Sequence, residues 1–289
     1  MPSDHLTAGL DSWPVWSATA PTLVGELKGG LTNRSYLLQT DDTRLVLRLN
    51  AENASELGLD RTLERQVLMR ASRAKVAPGL VYSDPQGGFL ITEYHGGRCW
   101  ESKHSSDADK LLQLAQLLKT THQLTPVDGI LNLYQRAEHY WLTIDKAGAG
   151  NSLVVQAIRA LRQPLQNFFT RANKLCLQRC LCHNDLLAEN LLIGNHGQLL
   201  ALDWEYAAMG DPYFDLAVVV EGHQMDDAPI QILLEYYSDV PMNTALQRLA
   251  LLRVIYSYLD LLWHLVQSGA PNLAMTKSKF ERLRSLMSA

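Results

Sequence analysis

Cysteine is scarce in this chain, four residues in 289. Cys176, Cys180 and Cys182 crowd ahead of His183, which raises the question of zinc. Cys180-x-Cys182 lacks the usual two-residue gap, however, and no second pair follows. These cysteines, with Cys99, read as small apolar residues of a helix end and a buried strand, kept reduced as in the cytoplasm. A dominant charge sign is lacking too: 26 Lys+Arg against 30 Asp+Glu give a net charge of −4. That leaves no concentrated basic face for nucleic acid. No apolar run reaches the ~18–20 residues of a bilayer-spanning helix, so membrane insertion is not expected. The opening Met-Pro-Ser-Asp-His-Leu has neither a basic nor an apolar leader region, so a cytoplasmic location is expected. Repeats and low-complexity tracts are absent. What is present is apolar material, 47% of residues, enough for one large or two modest folded cores and too much for disorder.

Composition changes near residue 95. Residues 22–28, 34–39 and 44–50 are short β-type segments bounded by turn residues, with Gly29-Gly30 and then residues 40–43 as the connections. A helix is predicted over 60–72, where Leu63 and Val67 recur at turn spacing, and two further strands over 80–84 and 89–94. Residues 1–95 thus read β-β-β-α-β-β, a small sheet carrying one helix. Residues 96–289 read mainly helical: 107–122 with Asp107 as cap, 131–147, 151–177, 215–224, 229–237, 242–267 and 276–287. A strand-and-loop segment, 180–212, interrupts them. Gly96-Gly97 is the expected hinge between the two regions.

The chemistry concentrates in the string HNDLLAENLL, residues 183–192. His183-x-Asp185 is followed by Asn190, an apolar strand, and then Asp203 at the end of a second apolar run. Phosphoryl transfer from ATP calls for such a set: one carboxylate to orient the attacking hydroxyl and accept its proton, and a side-chain amide and a second carboxylate to hold magnesium. An isolated His-x-Asp carries little weight, and a loop of capping acids is the plain alternative. Three polar groups at this spacing between strongly apolar strands favour the phosphotransferase reading.

At these residues the sequence resembles the protein-kinase-like small-molecule kinases, a group that includes aminoglycoside phosphotransferases and the choline, ethanolamine and thiamine kinases. The resemblance runs from about Leu23 to Gln267. It implies an α+β, bilobal fold with a β-rich N-terminal lobe and a larger, mainly α-helical C-terminal lobe. By motif it implies Asp185 as catalytic base and Asn190 and Asp203 as magnesium ligands. His183 then buttresses the loop, and Asp211 and Asp215 anchor the segment behind it. In the N-terminal region Gly29, Gly30 and Asn33 match a choline-kinase-type phosphate loop, although the GxGxxG of protein kinases is absent. Arg48 stands where protein kinases carry a lysine and would pair with Glu64. The strand ending Glu93-Tyr94 would offer backbone groups to adenine.

The acceptor is less legible. Tyr256, Asp260, Trp263 and Gln267 fall on one face of one helix. Trp263 matches the second tryptophan of a choline-kinase pattern that boxes a trimethylammonium group, while Asp260 replaces the first. Tyr206, after Asp203-Trp204-Glu205, is a further candidate for a cation pocket; Glu205 and Glu221 are left open. The expected acceptor is a small cationic alcohol of the choline or ethanolamine type, with thiamine and aminoglycosides as alternatives. A non-catalytic nucleotide-binding relative is the reading from another class.

Overall fold

In the segment Arg44–Leu49 every second residue is apolar, and Leu45, Leu47 and Leu49 are all buried. That alternation puts one face of a strand on a core and leaves the other to Arg44, Val46 and Arg48. The computed structural model describes residues 4–27, 33–51, 57–148, 152–267 and 273–288. Five strands, β1 (Thr22–Leu27), β2 (Arg34–Gln39), β3 (Arg44–Leu49), β4 (Leu80–Ser83) and β5 (Phe89–Glu93), form an antiparallel sheet in the order β1-β2-β3-β5-β4. Tyr36, Leu38, Leu45, Leu47, Leu49, Phe89 and Ile91 make its apolar face. Helix α1 (Asp4–Asp11) covers that face with Leu6 and Leu10; it is absent from the sequence reading because its eight residues carry little periodic signal. Arg48 has the opposite parity and points to the other face, where α2 (Arg61–Arg73) brings Glu64 to it. Asp60 caps α2 by accepting from the N–H groups of Thr62 and Leu63.

Two smaller sheets follow. β6 (Gly97–Cys99), β8 (Leu191–Gly194) and β9 (Leu199–Ala201) pair in the order β6-β8-β9, and β7 (Cys180–Cys182) pairs with β10 (Ala208–Gly210). The remaining helices are α3 (Ala108–His122), α4 (Leu133–Lys146), α5 (Leu153–Arg159), α6 (Arg162–Leu175), α7 (Pro212–Gly222), α8 (Asp227–Tyr237), α9 (Met242–Gln267) and α10 (Leu273–Ser288). The N-terminal region is sheet-rich and the C-terminal region helical, the α+β class expected. The continuous helix predicted over 151–177 is two helices. Pro164 has no N–H for the carbonyl of Ala160 and its ring would crowd that carbonyl, so the chain restarts with the proline in the first turn of α6.

The residues cluster into two compact units, Met1–Glu101 with Ala188–Ala207 and Ser102–Leu187 with Ala208–Ala289. The first therefore takes back a piece of later chain, because β6 recruits the β8-β9 hairpin; a single cut at residue 95 does not describe this. Gly96-Gly97 is accordingly not a free hinge: Gly97 sits inside β6, paired with Gly194. Its φ is 142°, and a Cβ there would stand 2.1 Å from the carbonyl oxygen of Ile193. Gly97→Ala should destabilise the protein by about 1–3 kcal/mol, read as a lower midpoint in urea unfolding.

In the second unit α9 is the central element, packed by α4, α6, α7 and α10. By length and composition Met242–Gln267 is apolar enough to cross a membrane, yet 61% of its most apolar window is buried inside the protein. Arg248, Arg253, Asp260 and His264 interrupt it, which hides it from a search for uninterrupted runs.

Candidate active site

In the first unit, strand parity and one helical turn assemble a buried ionic cluster. Arg48 donates to Glu64 and, through its other terminal nitrogen, to Asp203 Oδ1 at 2.7 Å; Asn50 Oδ1 accepts from the same guanidinium at 2.8 Å. Arg61, one turn before Glu64, donates to Glu64 Oε2 and to Glu205 Oε2, both at 2.8 Å. Asn33 donates to Glu205 Oε2 at 2.8 Å and to the Asp203 carboxylate at 3.4 Å, while its own carbonyl accepts from the Ala51 N–H. The two guanidinium groups face three carboxylates, a formal excess of one negative charge (2 − 3 = −1).

The electrostatics follow from that count. Burial pulls the Arg48 pKa down, and Glu64, Asp203 and Glu205 more than reverse it, so this cation stays charged. Burial pushes Asp203 above the ordinary carboxylate value; Arg48 pulls it back and Glu64 pushes it further up. Glu205 is likewise raised, by burial first and by Asp203 second. The two acids are under-compensated. A cation at Asp203 would complete the balance, and the donor there is a hard oxygen, the Asp203 carboxylate, with 23% of its side chain exposed. Asn190 is kept beside Asp203 through the chain, since its carbonyl accepts the Leu202 N–H at 2.8 Å. Asp203 itself is left-handed, φ 58°, a conformation that Asp and Asn tolerate better than other side chains.

The second unit holds Asp185. The loop His183-Asn184-Asp185 is pinned from behind by Asp215, which is fully buried. One Asp215 oxygen accepts from the His183 N–H at 2.9 Å and from His122 Nε2 at 2.9 Å; the other accepts from the Asn184 N–H at 2.6 Å. That grip holds Asn184 at φ 67°. His183 Nδ1 then accepts the Asp185 N–H at 3.3 Å, and Asp185 leads into the chain that places Leu186. Asp211 caps α7 through the Tyr213 N–H and accepts from Arg248 at 3.2 Å. His183, Asp211 and Asp215 thus all make contacts behind or beside this loop; His122, which also meets Asp215, gave no sequence signal.

On the far side of the loop, His223 donates from Nε2 to the Leu186 carbonyl at 3.0 Å. Burial lowers its pKa to about 4 from the ordinary 6.5. Between those values the unfolded chain binds a proton that the folded chain does not. Stability should therefore fall as pH drops from 6.5 towards 4, by about 3 kcal/mol in all. His223→Gln keeps an amide donor for Leu186 and should flatten this slope in urea unfolding measured across that range.

Not every residue singled out in the sequence arrives as expected. Gly29 and Gly30 lie outside the described residues. Asn33 is not a free phosphate-loop donor; its amide is spent on Glu205 and Asp203. The N–H groups of Glu93 and Tyr94 are engaged by the carbonyls of Gly79 and Arg44, so neither can donate to adenine. Asp260 does lie on the partly exposed face of α9 with Tyr256 and Trp263, but Lys279 of α10 donates to it at 2.5 Å and His264 lies 3.5 Å away. Glu221 is paired twice, with Arg253 at 2.5 Å and Arg282 at 2.8 Å. Sequence reasoning overlooked Tyr140 of α4, whose buried phenol has its pKa raised by burial first, lowered in part by Arg136, and raised further by the charges of Asp185 and Asp260. Tyr206 belongs to the first unit, with Asp203.

Comparison with known proteins sets this geometry among relatives. A family model described as the phosphotransferase enzyme family matches residues 24–252. Protein LicA of Haemophilus influenzae is 27% identical over 247 residues, covering 81% of this chain and 70% of that protein. Choline kinase LicA from Streptococcus pneumoniae has a similar fold, with a TM-score of 0.77 at 21% identity, over 92% of this chain and 94% of that one. A choline/ethanolamine kinase family protein from Mesorhizobium loti gives a TM-score of 0.81 at 21% identity, over 100% of this chain and 96% of that one.

Proposed function

The chain belongs to the phosphotransferase enzyme family, and from that premise we propose that it transfers the γ-phosphoryl group of ATP to the hydroxyl of a small cationic alcohol of the choline or ethanolamine type. The observation that carries the reading is Asp203: a partly exposed carboxylate, tied to Arg48 at 2.7 Å, in a cluster with one negative charge in excess. Asp203 and Asn190 would hold Mg²⁺, which supplies neutralisation of charge on the phosphate oxygens. Arg48, kept cationic by its acidic neighbours, would bind a phosphate oxygen. Asp185 orients the alcohol and accepts its proton as the alcohol oxygen bonds to phosphorus and the bond to the leaving ADP oxygen breaks. The products are a phosphomonoester and ADP.

The acceptor class rests on aromatic and acidic side chains on the second unit's helices, Tyr140, Tyr256 and Trp263 with Asp185, which suit a cation that also carries a hydroxyl. The names of the relatives support the choline and ethanolamine type. Thiamine drew its support from Asp260 as a partner for an aminopyrimidine, and the Lys279 ion pair weakens that argument. An ADP-release assay with Mg-ATP tests the proposal, with choline, ethanolamine, thiamine and kanamycin offered in parallel. Choline or ethanolamine should give the highest kcat/KM. Turnover only with thiamine or kanamycin would refute the acceptor assignment, and nucleotide binding without transfer to any of the four would favour the non-catalytic alternative.

A further inference from the structure

Behind the catalytic loop three side chains from remote parts of the chain converge. β7 carries Cys180 and Cys182 on the same side, with their Sγ atoms 3.8 Å apart, and α3 ends on His122. The ligating atoms of the three all lie within 4.8 Å of one another. Two sulfurs bound to one tetrahedral zinc ion at ~2.3 Å stand about 3.8 Å apart, and sulfur and imidazole nitrogen about 3.6 Å. The thiol pair is therefore already at ligating separation, and a movement of about 1 Å brings the ring in.

Nε2 of the histidine faces an Asp215 oxygen at 2.9 Å, so a neutral ring carries its proton there and keeps its lone pair on Nδ1, the nitrogen that would bind an ion. A carboxylate fixing the far nitrogen of a ligating histidine is the recurring outer arrangement of zinc sites. At present Nδ1 meets the Tyr237 hydroxyl at 2.8 Å, so Tyr237 stands next to the position an ion would take. Cys182 is buried, Cys180 half-buried, and the Cys180 side gives entry.

We propose that Cys180, Cys182 and His122 form a binding site for a zinc-class divalent ion, with Asp215 as the outer partner of His122. The sequence spacing alone argued against zinc there; the third ligand comes from a helix ending 58 residues before Cys180 (180 − 122 = 58). Binding exchanges two thiol protons for the ion and leaves two thiolates to balance its charge. Because Asp215 also holds the His183 and Asn184 N–H groups, the ion would stiffen the anchor of the catalytic loop.

Cobalt(II) titration of the reduced full-length protein tests this. A thiolate-to-cobalt absorption in the near ultraviolet should saturate at one ion per chain and be displaced by zinc(II). It should weaken in Cys180→Ser and in Cys182→Ser, vanish in the double variant, and persist in Cys99→Ser/Cys176→Ser. Mass spectrometry after alkylation of the unsubstituted protein supplies a readout that no folding defect can mimic: zinc(II) should slow modification of Cys180 but not of Cys99. Absence of the band in the unsubstituted protein overturns the proposal. So does a band that survives in the double variant, equal affinity in His122→Asn, or zinc(II) without effect on Cys180 alkylation.

Discussion

Asp185→Asn should lower kcat by ~10²–10⁴-fold, the usual worth of a positioned general base, while leaving the fold and nucleotide affinity near those of the parent. The amide keeps the size and one acceptor of the carboxylate but cannot take the proton of the alcohol. The loop itself should be undisturbed, because its geometry is set by main-chain groups: the Asp185 N–H donates to His183 Nδ1 and the Asp185 carbonyl accepts from Leu187. Steady-state kinetics with the best acceptor, together with nucleotide titration and thermal unfolding, separates these effects. Retention of full turnover would remove Asp185 from the chemistry and with it the proposed mechanism.

Asp215→Ala should cost about 3–5 kcal/mol of stability, as expected when one partner of a buried charged network is deleted. The carboxylate is fully buried and accepts from two backbone N–H groups and from His122. Without it three donors lose their acceptor at once, and nothing holds Asn184 in its left-handed conformation. Against a typical total of about 5–15 kcal/mol, the loss is large enough to show as a clear drop in the urea midpoint. Activity at a temperature where the variant is still folded should fall as well, since Asp185 follows directly on the loosened loop. A midpoint within the range of ordinary surface substitutions would mean that the loop is held by other contacts.

The two experiments probe different levels of the same segment. HNDLLAENLL stood out because polar residues at fixed spacing break two apolar strands, and this is a local signal that survives in one dimension. The strands themselves were equally visible as short β-type runs bounded by turn residues, and Asp107 marks a helix start by the hydrogen bonds it makes within three residues. The Arg48–Glu64 pair came from the family resemblance alone, and the structure makes it.

Charge partners from remote segments were not visible in that way. Nothing near Asn33 announces Glu205, nothing near His122 announces Asp215, and Asp260 carries no mark of Lys279. Each of these contacts depends on where helices and hairpins dock, a matter of packing over the whole chain. Docking spends Asn33 on Glu205 and leaves Asp260 already paired with Lys279. It likewise takes up the N–H groups of Glu93 and Tyr94 in the sheet. The sequence by itself determined most of the elements and singled out the candidate catalytic residues, because those signals are only a few residues long. Only the tertiary structure decided which charges are neutralised, which donors are already used and which cysteines meet a histidine, because buried polar groups take whatever partner the packing brings within hydrogen-bonding distance.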